Sequence, residues 1–365
     1  MRIRTRAPHS LGPLIVALAL AAATVVGAAP ASATTEPPPA STADAVVGST
    51  GATSVADDAR LSIPDGVTRK RTPSGRVLIL PLPDESYALT SGWGPRCIPV
   101  RGGSTFHLGL DMGTPDGRPV YAVASGVVSH VVAPTNGNAG YVTVHSVIEG
   151  TPTWIAYVHP WNPGKYVRVG QKVKVGQRIA DVGASGPATA PHLHLEVWED
   201  AFYGSGTSVD PAAWLAGYRL PVVQRATTDR RSPAPSRCTY YPTTNLNMRT
   251  GPSTSYRVLT TLAPNTTLTN KPGTKTNGFI PVWAVVDGKK TRGWVHADYV
   301  LQTKTYHLAY AVTVRTKPRS TAAAMFVAKA GTQVTPHEIS GGWRKVVVSG
   351  TTGWVPKESV APGLG

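Results

Sequence analysis

His192-Leu-His-Leu-Glu-Val-Trp198 alternates polar and apolar side chains with a period of two, which reads as a strand. Leu193 and Leu195 then enter a core, while His192 and His194 share the opposite face. Side chains at i and i+2 of a strand stand about 6.6 Å apart, so two imidazoles here can serve one site in different roles. The runs before it have the same texture: Val77–Leu82, Val120–Val132, Tyr141–Val147, Trp154–Val158 and Lys174–Val182, punctuated by Gly126, Gly140, Gly170, Gly176, Gly183 and Gly186. Short apolar runs cut by glycine turns predict an antiparallel, mainly β domain over residues 77–217. Pro211-Ala-Ala-Trp-Leu-Ala216 supplies a helical turn at its C-terminal edge.

Composition agrees with short strands. The chain has 365 residues, of which 37 are Gly and 33 Pro, and only 15% are charged. That length favours two or three domains. Glycine and proline without a strict triplet exclude collagen, and 9 Trp with 13 Tyr argue against global disorder.

After a basic, proline-containing linker at 218–237, with Asp229-Arg-Arg-Ser-Pro-Ala-Pro-Ser236, the chain repeats itself. Leu246-Asn-Met-Arg-Thr-Gly-Pro252 aligns with Val312-Thr-Val-Arg-Thr-Lys-Pro318. Trp283 followed by Gly293-Trp-Val295 aligns with Trp343 followed by Gly353-Trp-Val355, so the first copy carries extra residues between these landmarks. Units of this size predict two small β-barrels, at 238–303 and 304–365, and two copies imply avidity.

Charge is unevenly spread. Residues 1–216 hold 16 Lys/Arg against 15 Asp/Glu, whereas residues 217–365 hold 20 against 5, so nearly all of the net +16 lies in the C-terminal portion. Such a module seeks a polyanion: nucleic acid, an anionic membrane or an anionic wall polymer. The N-terminus chooses among them. Arg2, Arg4 and Arg6 precede an apolar run from Leu14 to Ala29 and then Ala31-Ser-Ala33, the pattern of a secretory signal peptide over 1–33. The run is shorter than the ~20 residues a spanning helix needs, and no cysteine follows for lipidation, so no membrane anchor is expected. Export disfavours nucleic acid. Residues 34–76, rich in Thr, Pro, Ala and Ser, read as a disordered lead or a pro-segment. Cys97 and Cys238 both lie in the exported part, where a bridge between them is the favoured reading.

Six of the ten histidines fall between His107 and His194. His107-Leu-Gly-Leu-Asp111 and His192-Leu-His194 are each weak signals, since chance supplies about 0.4 and about 0.3 such pairs in a chain like this. Together in one exported domain they point to a metal. His107, Asp111 and one of His192 or His194 supply three N/O ligands, and three protein ligands with an open fourth position describe a catalytic zinc site. Spacing does not choose between those two histidines. His159, ending the run Tyr157-Val-His159, is a further candidate, while His130 and His145 sit in valine-rich strands and read as structural or surface residues.

Several of these stretches fall in a familiar order. Gly92-Trp-Gly-Pro-Arg96, Pro99, Gly102, His107-Leu-Gly-Leu-Asp111, Val120-Tyr-Ala-Val-Ala-Ser-Gly-Val-Val128, Tyr157-Val-His159, Val169-Gly-Gln-Lys-Val173 and Gly183-Ala-Ser-Gly186 leading to Pro191-His-Leu-His-Leu-Glu196 resemble the lysostaphin-type zinc metallopeptidases. The match runs in order from Ser91 to Trp198. The resemblance implies an antiparallel sheet of the duplicated hybrid motif type and hydrolysis of peptide bonds in bacterial peptidoglycan. It implies that His107, Asp111 and His194 bind one Zn2+ and that His192 and His159 are the catalytic histidines. Glu196 is expected in a supporting role. Two departures, Ile98 where relatives often carry His and Pro160-Trp-Asn-Pro163 after His159, are expected to reshape the substrate groove.

The tandem units resemble bacterial Src-homology-type wall-binding barrels, through Leu246-Asn-Met-Arg-Thr-Gly-Pro-Ser253 and the two Gly-Trp-Val stretches. The expectation is a secreted, monomeric zinc endopeptidase held on peptidoglycan by two barrels, with an anionic wall polymer as a further partner and no nucleic acid. The alternative is a catalytically silent wall-binding scaffold or hydrolase activator built on the same fold.

Overall fold

The computed structural model describes Ser62–Gly365 apart from Asn136. The signal peptide at 1–33 and the lead up to residue 61 lie outside the described residues. The molecule is mostly β, and among the described residues no helix is long and apolar enough to cross a membrane.

A nine-stranded sheet organises the first region. Its strands run in the order Lys172–Val173, Gly126–Val132, Tyr141–Ile148, Thr151–Val158, His192–Glu199, Gly109–Gly113, Ala88–Ser91 and Thr228–Asp229, with Thr207–Val209 also paired to His192–Glu199. Every pairing is antiparallel except that of Thr228–Asp229 with Ala88–Ser91. The period of two in His192–Glu199 does what it predicts: Leu193, Leu195 and Val197 are buried in a core with Leu110, Met112, Val144, Ile155 and Tyr157. The helix Pro211–Gly217 packs against the strands His192–Glu199 and Gly109–Gly113 and is opened by Asp210, whose Oδ1 accepts from the Ala212 N–H at 2.9 Å.

Two apolar runs prove to be broken. Val120–Val132 divides into Pro119–Tyr121 and Gly126–Val132, because Ala122–Ser125 crosses the core and is held by side chains: Val123 N–H donates to Tyr157 Oη at 2.8 Å, and Ser125 Oγ accepts from Val175 N–H at 2.9 Å. Lys174–Val182 divides around Gly176 at φ +82°, a left-handed turn that glycine adopts without cost.

The region is also longer than its apolar pattern suggests. Arg69–Arg71, inside the stretch read as lead, forms a strand on Val77–Ile79. All three of its side chains are exposed, so no hydrophobic period announces it; backbone pairing to a buried neighbour and a 2.6 Å hydrogen bond from Thr68 Oγ1 to Asp84 secure it. The first part of the stretch read as linker packs too. Leu220 and Val222 are buried, and Tyr87 Oη donates to Val222 O at 2.8 Å.

Residues 238–301 form a seven-stranded barrel-like sheet, and a five-stranded sheet with an additional strand pair follows from Tyr306. The sequence repeat is physical. Arg249 pairs with Trp294 and Arg315 with Trp354, and each Gly-Trp-Val glycine lies under a neighbouring strand. A Cβ on Gly293 would stand 2.5 Å from Met248 Cγ, and one on Gly353 2.3 Å from Val314 Cγ1.

The first barrel is joined to the sheet domain by more than a linker. Cys97 and Cys238 form a disulfide, and Ile98 is only 4% exposed because it belongs to the barrel's apolar core beside Tyr240, Leu246 and Ile280. The expectation that Ile98 shapes the groove is therefore corrected: an aliphatic side chain there fills a neighbouring core. Its backbone is held on both sides, the N–H donating to Tyr240 Oη and the carbonyl accepting from Gln302 Nε2, each at 2.8 Å. The extra residues of the first repeat have a use as well. The loop before Phe279–Val286 carries Lys275, whose Nζ donates to Gly102 O at 2.6 Å.

Candidate active site

Register builds the site. His194 lies directly across from Asp111, so the two side chains share a face, and His192 and Glu196 fall on that same face two residues away on either side. Gly109 makes room. A Cβ there would stand 2.7 Å from His194 Nε2, so only glycine leaves space for the ring. His107 comes from the short strand Phe106–His107, paired with Gly94–Pro95. His159 follows the strand Thr151–Val158 with φ +78°, a left-handed conformation that costs a side chain about 1–2 kcal/mol. This turn brings the His159 ring to 4.5 Å from that of His192.

Three donor atoms converge. His107 Nε2 lies 2.9 Å from His194 Nδ1 and 3.2 Å from Asp111 Oδ1, and His194 Nδ1 lies 2.8 Å from the same carboxylate oxygen. Ligands about 2.0–2.2 Å from a tetrahedral zinc would stand about 3.3 Å apart, close to these separations. His107, Asp111 and His194 are thus a group able to hold a metal ion.

The outer hydrogen bonds fix which nitrogen each ring offers. A carbonyl oxygen can only accept, so His107 Nδ1–H donates to Gly92 O at 2.7 Å and leaves Nε2 facing the cluster. By the same logic His159 Nδ1–H donates to Ser185 O at 2.6 Å and His192 Nδ1–H to Ala190 O at 2.8 Å. His194 is turned the other way: its Nε2–H donates to Glu196 Oε1 at 3.0 Å, leaving Nδ1 toward Asp111. Glu196 is itself pinned by Trp198 Nε1–H at 2.7 Å and by Tyr203 Oη. Such outer partners set tautomer and ring orientation at metal sites.

Electrostatics fit the same picture. Burial lowers the pKa of His107, and burial with the neighbouring His192 and His194 pushes His159 down to about 3, so both are neutral imidazoles. Burial would lower His194 as well, but hydrogen bonds to Asp111 and Glu196 overrule it and raise the value to about 9. Burial opposes ionisation of Asp111, yet His107 and His194 hold its carboxyl well below the usual carboxylate range. Without metal, His194 therefore keeps a proton between two carboxylates, and metal binding displaces it.

All five residues singled out in the sequence, His107, Asp111, His159, His192 and His194, line one groove of about 590 Å³. His130 does not; its ring lies 5.1 Å from that of Phe202, tilted by 42°. His145 lies against Trp154, with ring centroids 4.2 Å apart and planes 15° from parallel. Trp161, in the stretch after His159, is exposed and donates from Nε1 to Asp116 at 3.0 Å. Sequence reasoning missed one wall. Ser232–Pro235, read as linker, lines the same groove and lies between the strand Thr228–Asp229 and the disulfide at Cys238. Only the proline spacing of Ser232-Pro-Ala-Pro235 hinted at a held, extended segment.

Comparison with known proteins finds family matches over three stretches of the chain. Residues 105–211 match Peptidase family M23, and residues 244–300 and 311–361 match the bacterial SH3 domain. The chain therefore carries a domain that matches Peptidase family M23, which contains the group able to hold a metal ion, followed by two that match the bacterial SH3 domain. Among its relatives, peptidoglycan DD-endopeptidase ShyB of Vibrio cholerae is 41% identical over 117 residues, which is 31% of this chain and 26% of that protein. Lysostaphin of Staphylococcus staphylolyticus is 32% identical over 135 residues, 36% of this chain and 27% of that protein. The chain thus spans about a quarter of the length of these curated relatives. Among solved structures, the antimicrobial peptidase lysostaphin from Staphylococcus simulans aligns with a TM-score of 0.32 and 24% identity, covering 67% of this chain and 95% of that one.

Proposed function

We propose that this chain is a secreted zinc-dependent endopeptidase that hydrolyses peptide bonds in peptidoglycan stem peptides or cross-links and is held on the wall by its two SH3 domains. Residues 1–33 serve as the signal peptide in this reading, the stretch from 34 toward Arg69 as a lead, and the net positive charge beyond residue 216 as the attraction to anionic wall polymers. The observation that carries the reading is the set of four imidazoles whose outer nitrogens are tied to carbonyl or carboxylate oxygens, so that each aims its other nitrogen into one groove.

His107 Nε2, Asp111 Oδ1 and His194 Nδ1 would hold zinc, which would supply Lewis-acid assistance to attack of water on the scissile carbonyl near neutral pH. Glu196 keeps His194 in the required tautomer. His159, neutral and nearly sealed from solvent, accepts a hydrogen bond at Nε2 and orients the attacking water. His192, whose Nε2 stands 3.5 Å from Asp111 Oδ1, takes the proton of that water and returns it to the departing amine. The aromatic walls, Trp93, Phe106, Tyr141 and Phe202, exclude bulk water and strengthen each of these interactions.

The test is digestion of purified peptidoglycan by the full chain, with products identified by mass spectrometry, before and after chelation and with zinc resupplied. New peptide ends that vanish on chelation and return with zinc support the reading. Wall binding without cleavage by zinc-loaded, folded protein would favour the scaffold alternative. Sedimentation with walls at rising salt tests the anchor, and the account expects binding to weaken.

A further inference from the structure

The groove contains one basic side chain that nothing in the mechanism uses. Arg96 ends Gly92-Trp-Gly-Pro-Arg96, and its backbone N–H donates to Thr105 O at 2.8 Å, which sets it beside the strand that carries His107. Among the residues lining the groove it is the sole arginine or lysine. Its Nε is shut off from solvent and has no hydrogen-bond partner, and its guanidinium joins no ion pair among the described residues. Burial lowers its pKa, the charge of Asp111 raises it, and Arg96 in turn helps lower that of His107, so the guanidinium sits within electrostatic reach of the donor cluster.

Arg96 is half-buried, and a guanidinium whose Nε is sealed from solvent without a hydrogen-bond partner is costly, more so beside a site that takes a dication. Neither carboxylate in the groove is available to it. Asp111 is engaged by His107 and His194, and Glu196 by His194, Trp198 and Tyr203. The planar fork of a guanidinium matches a carboxylate with two parallel hydrogen bonds, and aromatic walls deepen that attraction. We infer that Arg96 is the receptor for a free carboxylate on the substrate, borne by a residue next to the scissile bond, and so determines specificity for acidic cross-links over uncharged bridges. This rests on the peptidase reading for the position of the scissile bond; the anion site itself rests on Arg96 alone.

The experiment uses the zinc-loaded full chain and a matched pair of synthetic cross-link peptides, one with a free carboxylate on the residue after the scissile bond and the other with that group as carboxamide. Wild type should prefer the carboxylate peptide by about 10- to 100-fold in kcat/KM, mostly through KM, as expected for a charge-assisted hydrogen bond. Arg96→Gln should bring the ratio to about one, and Arg96→Lys, which keeps charge but loses the fork, should fall between. Equal use of both peptides by wild type, or an unchanged preference in Arg96→Gln, overturns the inference. The wild-type ratio needs no variant to fold. If neither peptide is cut, the peptidase reading fails, and calorimetric binding of the carboxylate peptide then decides the anion site by itself. Tighter binding than the carboxamide, lost in Arg96→Gln, upholds it; equal binding overturns it.

Discussion

The groove and the core of the first SH3 domain lie on either side of one seam and are built on opposite principles. The groove buries His107, His159, His194 and Glu196 against one another, an arrangement that costs folding energy and is tolerable only because every outer atom is hydrogen-bonded. The barrel core is Tyr240, Leu246, Met248, Leu262, Leu268, Ile280, Val282 and neighbours, and its chief visitor from the other domain is the aliphatic Ile98. Polar burial marks where chemistry is done, and apolar burial marks where position is held. The seam couples them, since the strand pair Gly94–Pro95 and Phe106–His107, continued by the Arg96 N–H to Thr105 O hydrogen bond, brackets the loop seated in the barrel.

The sharpest break of this contrast is in the groove. Asp111→Asn should abolish zinc retention and reduce peptide hydrolysis by at least about 10³-fold, because Lewis-acid assistance contributes several kcal/mol. In the metal-free chain it also removes the counter-charge of His194, so the thermal midpoint should fall as well, a result that metal analysis and calorimetry together would check.

On the other side of the seam the effect is on stability. Replacing both Cys97 and Cys238 by Ser opens a loop whose ends are 141 residues apart and should cost about 5 kcal/mol in chemical denaturation. Ile98→Ala probes the same seam without covalent chemistry and should cost about 2–4 kcal/mol. The transition of the second SH3 domain should be unaffected, since its core of Leu308, Val314, Val346 and Val355 draws on neither residue.

Smaller effects sharpen the reading of the outer hydrogen bonds. Glu196→Gln should weaken zinc affinity by about 10- to 100-fold in competition with a chromogenic chelator, while leaving the fold intact. In the metal-free chain, His159 carries a pH signature. Its folded pKa of about 3 lies below the unfolded value near 6.5, so its contribution is complete above pH 6.5. As pH falls from 6.5 toward 3 the unfolded state takes up the proton first, and stability declines by up to about 1.4 kcal/mol per pH unit. A urea series across that range should show a shallower decline for His159→Gln.

Much of this was legible in the sequence where a pattern carried a physical signal. The alternation in His192–Trp198 placed two histidines on one face, and the strand register then brought Asp111 opposite His194. The repeat landmarks mapped onto paired strands because Gly293 and Gly353 each lie under a neighbour. What escaped had no such signal. Arg69–Arg71 is an exposed charged strand held by backbone pairing and polar contacts, with no apolar period. Leu220 and Val222 are two apolar residues in a proline-flanked stretch, too few to form a period. Ile98 read as a departure from a motif, although its side chain belongs to a core that forms 140 residues later in the chain, at Cys238 and beyond. The tautomers of His107, His159 and His192 depend on carbonyls of Gly92, Ser185 and Ala190, which no motif records.

The most direct test of the account compares zinc-loaded wild type with zinc-loaded His192→Ala on purified cross-linked muropeptides, with zinc content matched by elemental analysis. The account predicts hydrolysis by wild type and a loss of about 10²- to 10⁴-fold in the variant at equal zinc occupancy, the range of general acid–base catalysis. Equal rates for the two proteins, or no cleavage by fully loaded wild type, would contradict it.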